Sequence, residues 1–157
     1  MKLTDLFKSK LLTNKSEIEA WLKEMEIKNY TINDNGVVDV DGDVIISHKN
    51  LTKIPVQFGD VDGDFYCSHN QLTSLQRAPR EVGRDFYCPD NQLTSLQDGP
   101  REVGGGFHCS HNQLTSLQGA PREVDGNFTC SFNKFKSEPD HSFIKINREF
   151  VWKWNKL

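Results

Sequence analysis

No stretch of this 157-residue chain holds the roughly 18 consecutive apolar residues that a membrane helix needs, which excludes a helical span. Charge of one sign is not in excess. The 19 basic and 22 acidic residues leave a net charge of −3, which argues against nucleic-acid binding by bulk electrostatics. The amino-terminal MKLTDLFKSKLLTNK lacks a long apolar stretch and a small-residue cleavage site, so it does not read as a secretory signal. Apolar residues are scarce, at 36%, and suit an elongated molecule better than a sphere. There is no G-x-S-x-G, P-loop, H-E-x-x-H or Gly-rich dinucleotide turn, so the chain does not read as an enzyme, and no cofactor is expected. The length suits one domain, with enough chain to bury a core without staples.

What the sequence does have is a repeat. Val40, Val61, Val82, Val103 and Val124 are spaced by 21 residues. Val44, Phe65, Phe86, Phe107 and Phe128 keep the same spacing, as do Ile46, Cys67, Cys88, Cys109 and Cys130. Asn70, Asn91, Asn112 and Asn133 follow, then two leucine columns, then Pro79, Pro100 and Pro121. Phe-x-Cys alternates as a short strand with two side chains on one face. Asn marks a turn, where its amide reaches backbone groups the turn leaves unpaired. Leu-x-x-Leu and Pro return the chain across the other side. A unit this short cannot bury its own apolar face, whereas stacked copies can, so the pattern predicts a repeat solenoid with a parallel sheet.

The unit F-x-C-S-x-N-Q-L-T-S-L resembles the leucine-rich repeat pattern, with Val, Phe and Cys replacing three of its leucines. Its length and Pro resemble the short bacterial type. That resemblance implies a parallel sheet on a concave side and an extended convex side. The wording N-Q-L-T-S-L-Q-G-A-P-R-E-V-G-G is also similar to small repeat proteins encoded by tailed bacteriophages. The expected organisation is a cap over residues 1–39, repeats over 40–135 and a second, apolar cap over 136–157.

The ends carry their own signals. Ser16 and Glu19 form a capping box, and Ile18, Trp21, Leu22 and Met25 share one face, so a helix is expected over about 16–26. A shorter helix is expected over 4–12, and short strands at 30–32 and 37–38. Trp21, Trp152 and Trp154 read as plugs over the open ends of the core, with a partner or dimer surface as the competing reading for the last two.

Three groups of residues tempt a chemical reading. The four cysteines share one column, and in-register strands would stack them inside the core as small buried hydrophobes. Reduced thiols suit a cytoplasmic protein. Zinc sites need close Cys pairs or convergent His, which are missing here, so no metal is expected. The acidic triplets Asp39/Asp41/Asp43 and Asp60/Asp62/Asp64 lack the Gly and Glu positions of a calcium loop and read as turn residues. Gly104-Gly105-Gly106 is a repeat turn rather than a phosphate cradle, since no helix follows it.

Function is expected on the strand residues that alternate with the core. The outward column reads Ile45, Tyr66, Tyr87, His108, Thr129, flanked by Asp43, Asp64, Asp85, Gly106, Asn127. A rim column reads His48, His69, Asp90, His111, Phe132. These columns vary while the framework stays fixed, as a binding surface permits, and Tyr is favoured at interface centres. Asp64, Asp85, Tyr66, Tyr87, His108, His69, Asp90, His111 and Phe132 are therefore the candidate partner-binding residues. The ladder Arg80/Arg101/Arg122 beside Glu81/Glu102/Glu123 is expected to offset charge on the opposite side. The expected function is a non-enzymatic protein-binding module on the concave face. The phage resemblance implies a host bacterial protein as partner. The alternative is a structural or assembly component that docks by its caps or self-associates.

Overall fold

The computed structural model of the protein describes Phe7 and residues 10–153. The short helix expected over 4–12, and Trp154, lie at least partly outside the described residues. Among the described residues, helix α1 (Lys15–Glu24) is followed by thirteen strands: β1 (Tyr30–Ile32), β2 (Val37–Val40), β3 (Val44–Ile45), β4 (Gln57–Val61), β5 (Phe65–Tyr66), β6 (Glu81–Val82), β7 (Phe86–Tyr87), β8 (Glu102–Val103), β9 (Phe107–His108), β10 (Glu123–Val124), β11 (Phe128–Thr129), β12 (Lys145–Ile146) and β13 (Phe150–Val151). Among the described residues no helix is long and apolar enough to cross a membrane.

The chain winds as a β-solenoid with two parallel sheets. The first runs β1-β2-β4-β6-β8-β10-β12 and the second β3-β5-β7-β9-β11-β13. Each turn contributes one strand to each, separated by a three-residue corner such as Gly83-Arg84-Asp85. The Phe-x-Cys strand is the second-sheet strand. The Glu-Val strand that precedes it is not evident from the repeat, because two residues are too short to show alternation. The third side of each turn has no strand, yet backbone bonds tie it: Gln71, Gln92 and Gln113 donate to Leu51, Leu72 and Leu93 at 2.8–2.9 Å, and Leu96 donates to Gln118 at 3.3 Å.

The 21-residue spacing puts like side chains directly above one another. Val61, Val82 and Val103 are paired in register on the first sheet, and Phe65, Phe86 and Phe107 on the second. The Phe rings form a column with centroids 5.4, 5.3 and 5.0 Å apart from Phe65 to Phe128, all fully buried. Each such ring contributes about 2–3 kcal/mol by leaving water. Cys67, Cys88, Cys109 and Cys130 are buried and free in the next column.

Asparagine supplies the polar counterpart. Asn91 Nδ2 donates to Cys88 O in its own turn at 3.2 Å and to Cys67 O in the preceding one at 3.0 Å. Its Oδ1 accepts from Leu72 N at 3.0 Å. Asn70, Asn112 and Asn133 repeat this pattern. The side chain thereby satisfies backbone groups of two turns at a place where the strand has ended.

The ends differ from each other. At the amino end, β1 pairs antiparallel with β2 and closes the first sheet, while α1 lays Ile18, Trp21 and Leu22 into the core. The helix starts one residue earlier than expected and its cap is Asn14, not Ser16. Asn14 Oδ1 accepts from Ser16 N and Glu17 N at 2.9 and 3.4 Å, and Asn is as good a cap as Ser. At the carboxyl end the parallel ladder continues beyond residue 135. Ile146 pairs with Val124 and Phe150 with Phe128, both at a spacing of 22. Ile146, Phe150 and Trp152 are partly buried against the core.

Candidate functional site: the outer face of the second sheet

A strand residue that follows a buried one must point outward, so Ile45 after Val44, and Tyr66, Tyr87, His108 and Thr129 after their Phe residues, form one row on the outer face of this sheet. Ile45 is 56% exposed, and the next three are half-buried. The Tyr66 and Tyr87 rings lie 5.6 Å apart, and Tyr87 and His108 lie 4.3 Å apart. His108 Nδ1 shares a hydrogen bond of 2.9 Å with Thr129 Oγ1. Burial lowers the His108 pKa from its ordinary value, against the Asp85 carboxylate, which pulls the other way. Burial, then the neighbouring Asp64 carboxylate, raises that of Tyr66, whose hydroxyl donates to Asp64 Oδ2 at 3.3 Å.

The acidic row beside it is partly structural. Asp43 Oδ1 accepts from Asp64 N at 2.8 Å, Asp64 Oδ1 from Asp85 N at 2.9 Å, and Asp85 Oδ1 from Gly106 N at 2.6 Å. Asn127 continues the series to Glu149 N at 3.2 Å. Each carboxylate therefore fixes the corner of the next turn with one oxygen, and Asp64 uses its other to accept from Tyr66. Asp39 does the same for Asp60 N on the first sheet, at 2.8 Å.

The rim row has a backbone peculiarity. His48, His69, Asp90, His111 and Phe132 all have φ between 52° and 58°, the left-handed region. Asn, Asp and His tolerate that region better than most residues, whereas a bulky Phe rarely adopts it. The row divides into two groups. His48 stacks on His69 at 4.3 Å and 15°, and His69 Nδ1 lies 3.6 Å from Asp90 Oδ2. His111 stacks on Phe132 at 4.2 Å and 11°, with Phe132 40% exposed. The nine candidate residues thus fall in three parallel rows, two on the strands and the corners before them and one in the turn that follows.

The opposite charge ladder is only partly paired. Arg80 bridges Asp60 at 3.1 Å and Glu81 at 3.8 Å, and Lys145 pairs with Glu123. Among the described residues Arg101, Arg122 and Glu102 form no ion pair. Asp60, Glu81, Glu102 and Glu123 stand in register and line a groove of about 420 Å³. The expected neutralisation along this side is therefore confined to its two ends.

No family model, curated protein or solved structure matches this chain.

Proposed function

We propose that the protein is a non-enzymatic binding module of leucine-rich-repeat type, which holds a protein partner on the outer face of the second sheet. The observation that carries this reading is the outward row Ile45, Tyr66, Tyr87 and His108, exposed at Ile45 and half-buried in the three rings that follow. Large rings with polar tips, held on a rigid ladder, lose little conformational entropy on contact. Phe132 supports it, since a bulky, exposed side chain in a left-handed conformation contributes little to the core. The wording of the repeats favours a phage-encoded protein acting on a host bacterial protein in the cytoplasm. A pull-down from bacterial lysate with the folded protein beside a folded Tyr66→Ala/Tyr87→Ala variant tests the reading. A stoichiometric partner lost by the variant is the expected result, and a partner retained by it overturns the assignment of this face.

A second reading has its own observation. The carboxyl end presents two strands, β12 and β13, each with a neighbour on one side only among the described residues, above partly exposed Ile146, Phe150 and Trp152. Unpaired edges of this kind invite further pairing. Self-association through that end predicts a dimer by light scattering that an Ile146→Lys substitution dissociates.

A further inference from the structure

The three-residue corners between the two sheets read Asp-Gly-Asp, Asp-Gly-Asp, Gly-Arg-Asp, Gly-Gly-Gly, Asp-Gly-Asn and Asn-Arg-Glu along the chain. Only the corner at Gly104–Gly106 carries no side chain. Without side chains there, Asp85 and His108 approach the corner closely, and beside it lies a notch of about 330 Å³ lined by Asp85, His108, Asp125, Asn127 and Arg148.

Four of these five side chains use one polar atom to hold the fold and leave another without a partner among the described residues. Asp85 Oδ1 holds Gly106 N, leaving Oδ2. Asp125 Oδ1 accepts from Asn147 Nδ2 at 2.6 Å, leaving Oδ2. Asn127 Oδ1 accepts from Glu149 N, leaving its NH2 group. His108 Nδ1 meets Thr129, leaving Nε2, which lies where a Cβ on Gly106 would stand. The Arg148 guanidinium has no partner among the described residues and stands at the same notch.

We infer that this notch binds one unit of a neutral saccharide, with the adjoining sugar lying along Tyr87. The charges select the class. Two carboxylates repel an anion such as phosphate, and Arg148 opposes a small cation. A hydroxyl both donates and accepts, so vicinal hydroxyls on one ring satisfy carboxylate oxygens, the amide and the guanidinium together without bringing a counter-charge. The volume admits a single small ring. The half-buried Tyr87 ring is next along the row, 4.3 Å from the His108 ring that lines the notch, where the adjoining sugar would meet it. Four polar groups are already oriented by the bonds that hold the turns, so little ordering accompanies binding. The inference does not rest on the protein-partner reading, because its ligand is taken up by the corner.

The test is an NMR titration of the full chain with methyl glycosides of the common hexoses and N-acetylhexosamines, run in parallel with free glycine and arginine. At least one glycoside is expected to shift the Gly105 and Gly106 amides and the His108 ring. Asp85→Asn keeps an oxygen for Gly106 N and removes only the charge. It is expected to weaken that binding about ten-fold or more, the worth of one charge-assisted hydrogen bond. Gly106→Ala, whose Cβ would stand 2.4 Å from His108 Nε2 and so displaces the ring that lines the notch, is expected to abolish it. Arg148→Gln, at an exposed position, gives a second reading should Gly106→Ala fail to fold. Absence of shifts with every glycoside, equal shifts with glycine or arginine, or glycoside shifts untouched by Asp85→Asn and Arg148→Gln would each overturn the inference.

Discussion

Asn91 reaches back a full turn to hold Cys67: its Nδ2 lies 3.0 Å from the Cys67 carbonyl, 24 residues earlier in the chain. The same amide oxygen receives Leu72 N. One side chain therefore ties together two turns, beside the contact of His69 with Asp90.

Replacing Asn91 with Ala removes the partner of buried backbone groups in two turns. The expected loss is about 1–3 kcal/mol, with those groups left unsatisfied. Thermal or urea unfolding measures it. A midpoint equal to that of the parent protein would show that water replaces the amide at no cost.

The cysteine column predicts an alkaline limit to stability. Burial pushes the Cys130 thiol up to about 12 and raises Cys67, Cys88 and Cys109 as well, while an unfolded thiol titrates near 8.5. An acid whose folded pKa is raised binds its proton more tightly in the folded state. Its contribution is full below the unfolded value and is lost as pH rises towards the folded one. Each thiol then contributes a slope of up to about 1.4 kcal/mol per pH unit. Denaturant midpoints are expected to be flat between pH 6 and 8 in this respect and to fall above about 9. Native thiols are expected to resist an alkylating reagent until the protein unfolds. Rapid labelling of the native protein at neutral pH would contradict the buried column.

Two glycines separate backbone strain from close approach. Gly42 has φ +136° and open space where a Cβ would stand; Gly119 has φ +83°, and a Cβ there would run into the backbone of Leu96 and Gln97. Both Ala substitutions are strained, and only the second also collides with backbone that cannot swing away. Gly119→Ala is expected to cost at least about 1 kcal/mol more than Gly42→Ala in urea unfolding. Equal costs would mean that the 96–97 segment yields freely.

The ring column tests the packing of the stack. Phe107 is fully buried between Phe86 and Phe128. Phe107→Ala is expected to cost about 3–5 kcal/mol, since neighbouring turns held in register cannot collapse onto the cavity. A cost near that of an exposed substitution would show that the column is not close-packed.

The stacking of turns was legible because Val, Phe, Cys and Asn each recur at one spacing, and a solenoid converts sequence period directly into neighbourhood. Three features were not. The Glu-Val strands are two residues long, too short for alternation to appear. The last strand pair was hidden by a single added residue, although I-N-R-E-F-V aligned on V-D-G-N-F-T carries the signal. The left-handed rim was signalled by the composition His, His, Asp, His, but Phe132 conceals it. At the candidate site the rows themselves followed from alternation. That Asp64 and Asp85 each commit one oxygen to the next corner did not, because that depends on where a neighbouring backbone N–H lies.

The direction of the asparagine bonds sets an order of events. Leu72 N is satisfied by Asn91, Leu93 N by Asn112, and Leu114 N by Asn133, always 19 residues further on and never the reverse. A turn emerging from the ribosome thus stays incomplete until its successor has been made. The growing chain consolidates with a lag of about one repeat, and unravelling from the carboxyl end leaves each newly terminal turn with a donor it cannot satisfy by itself.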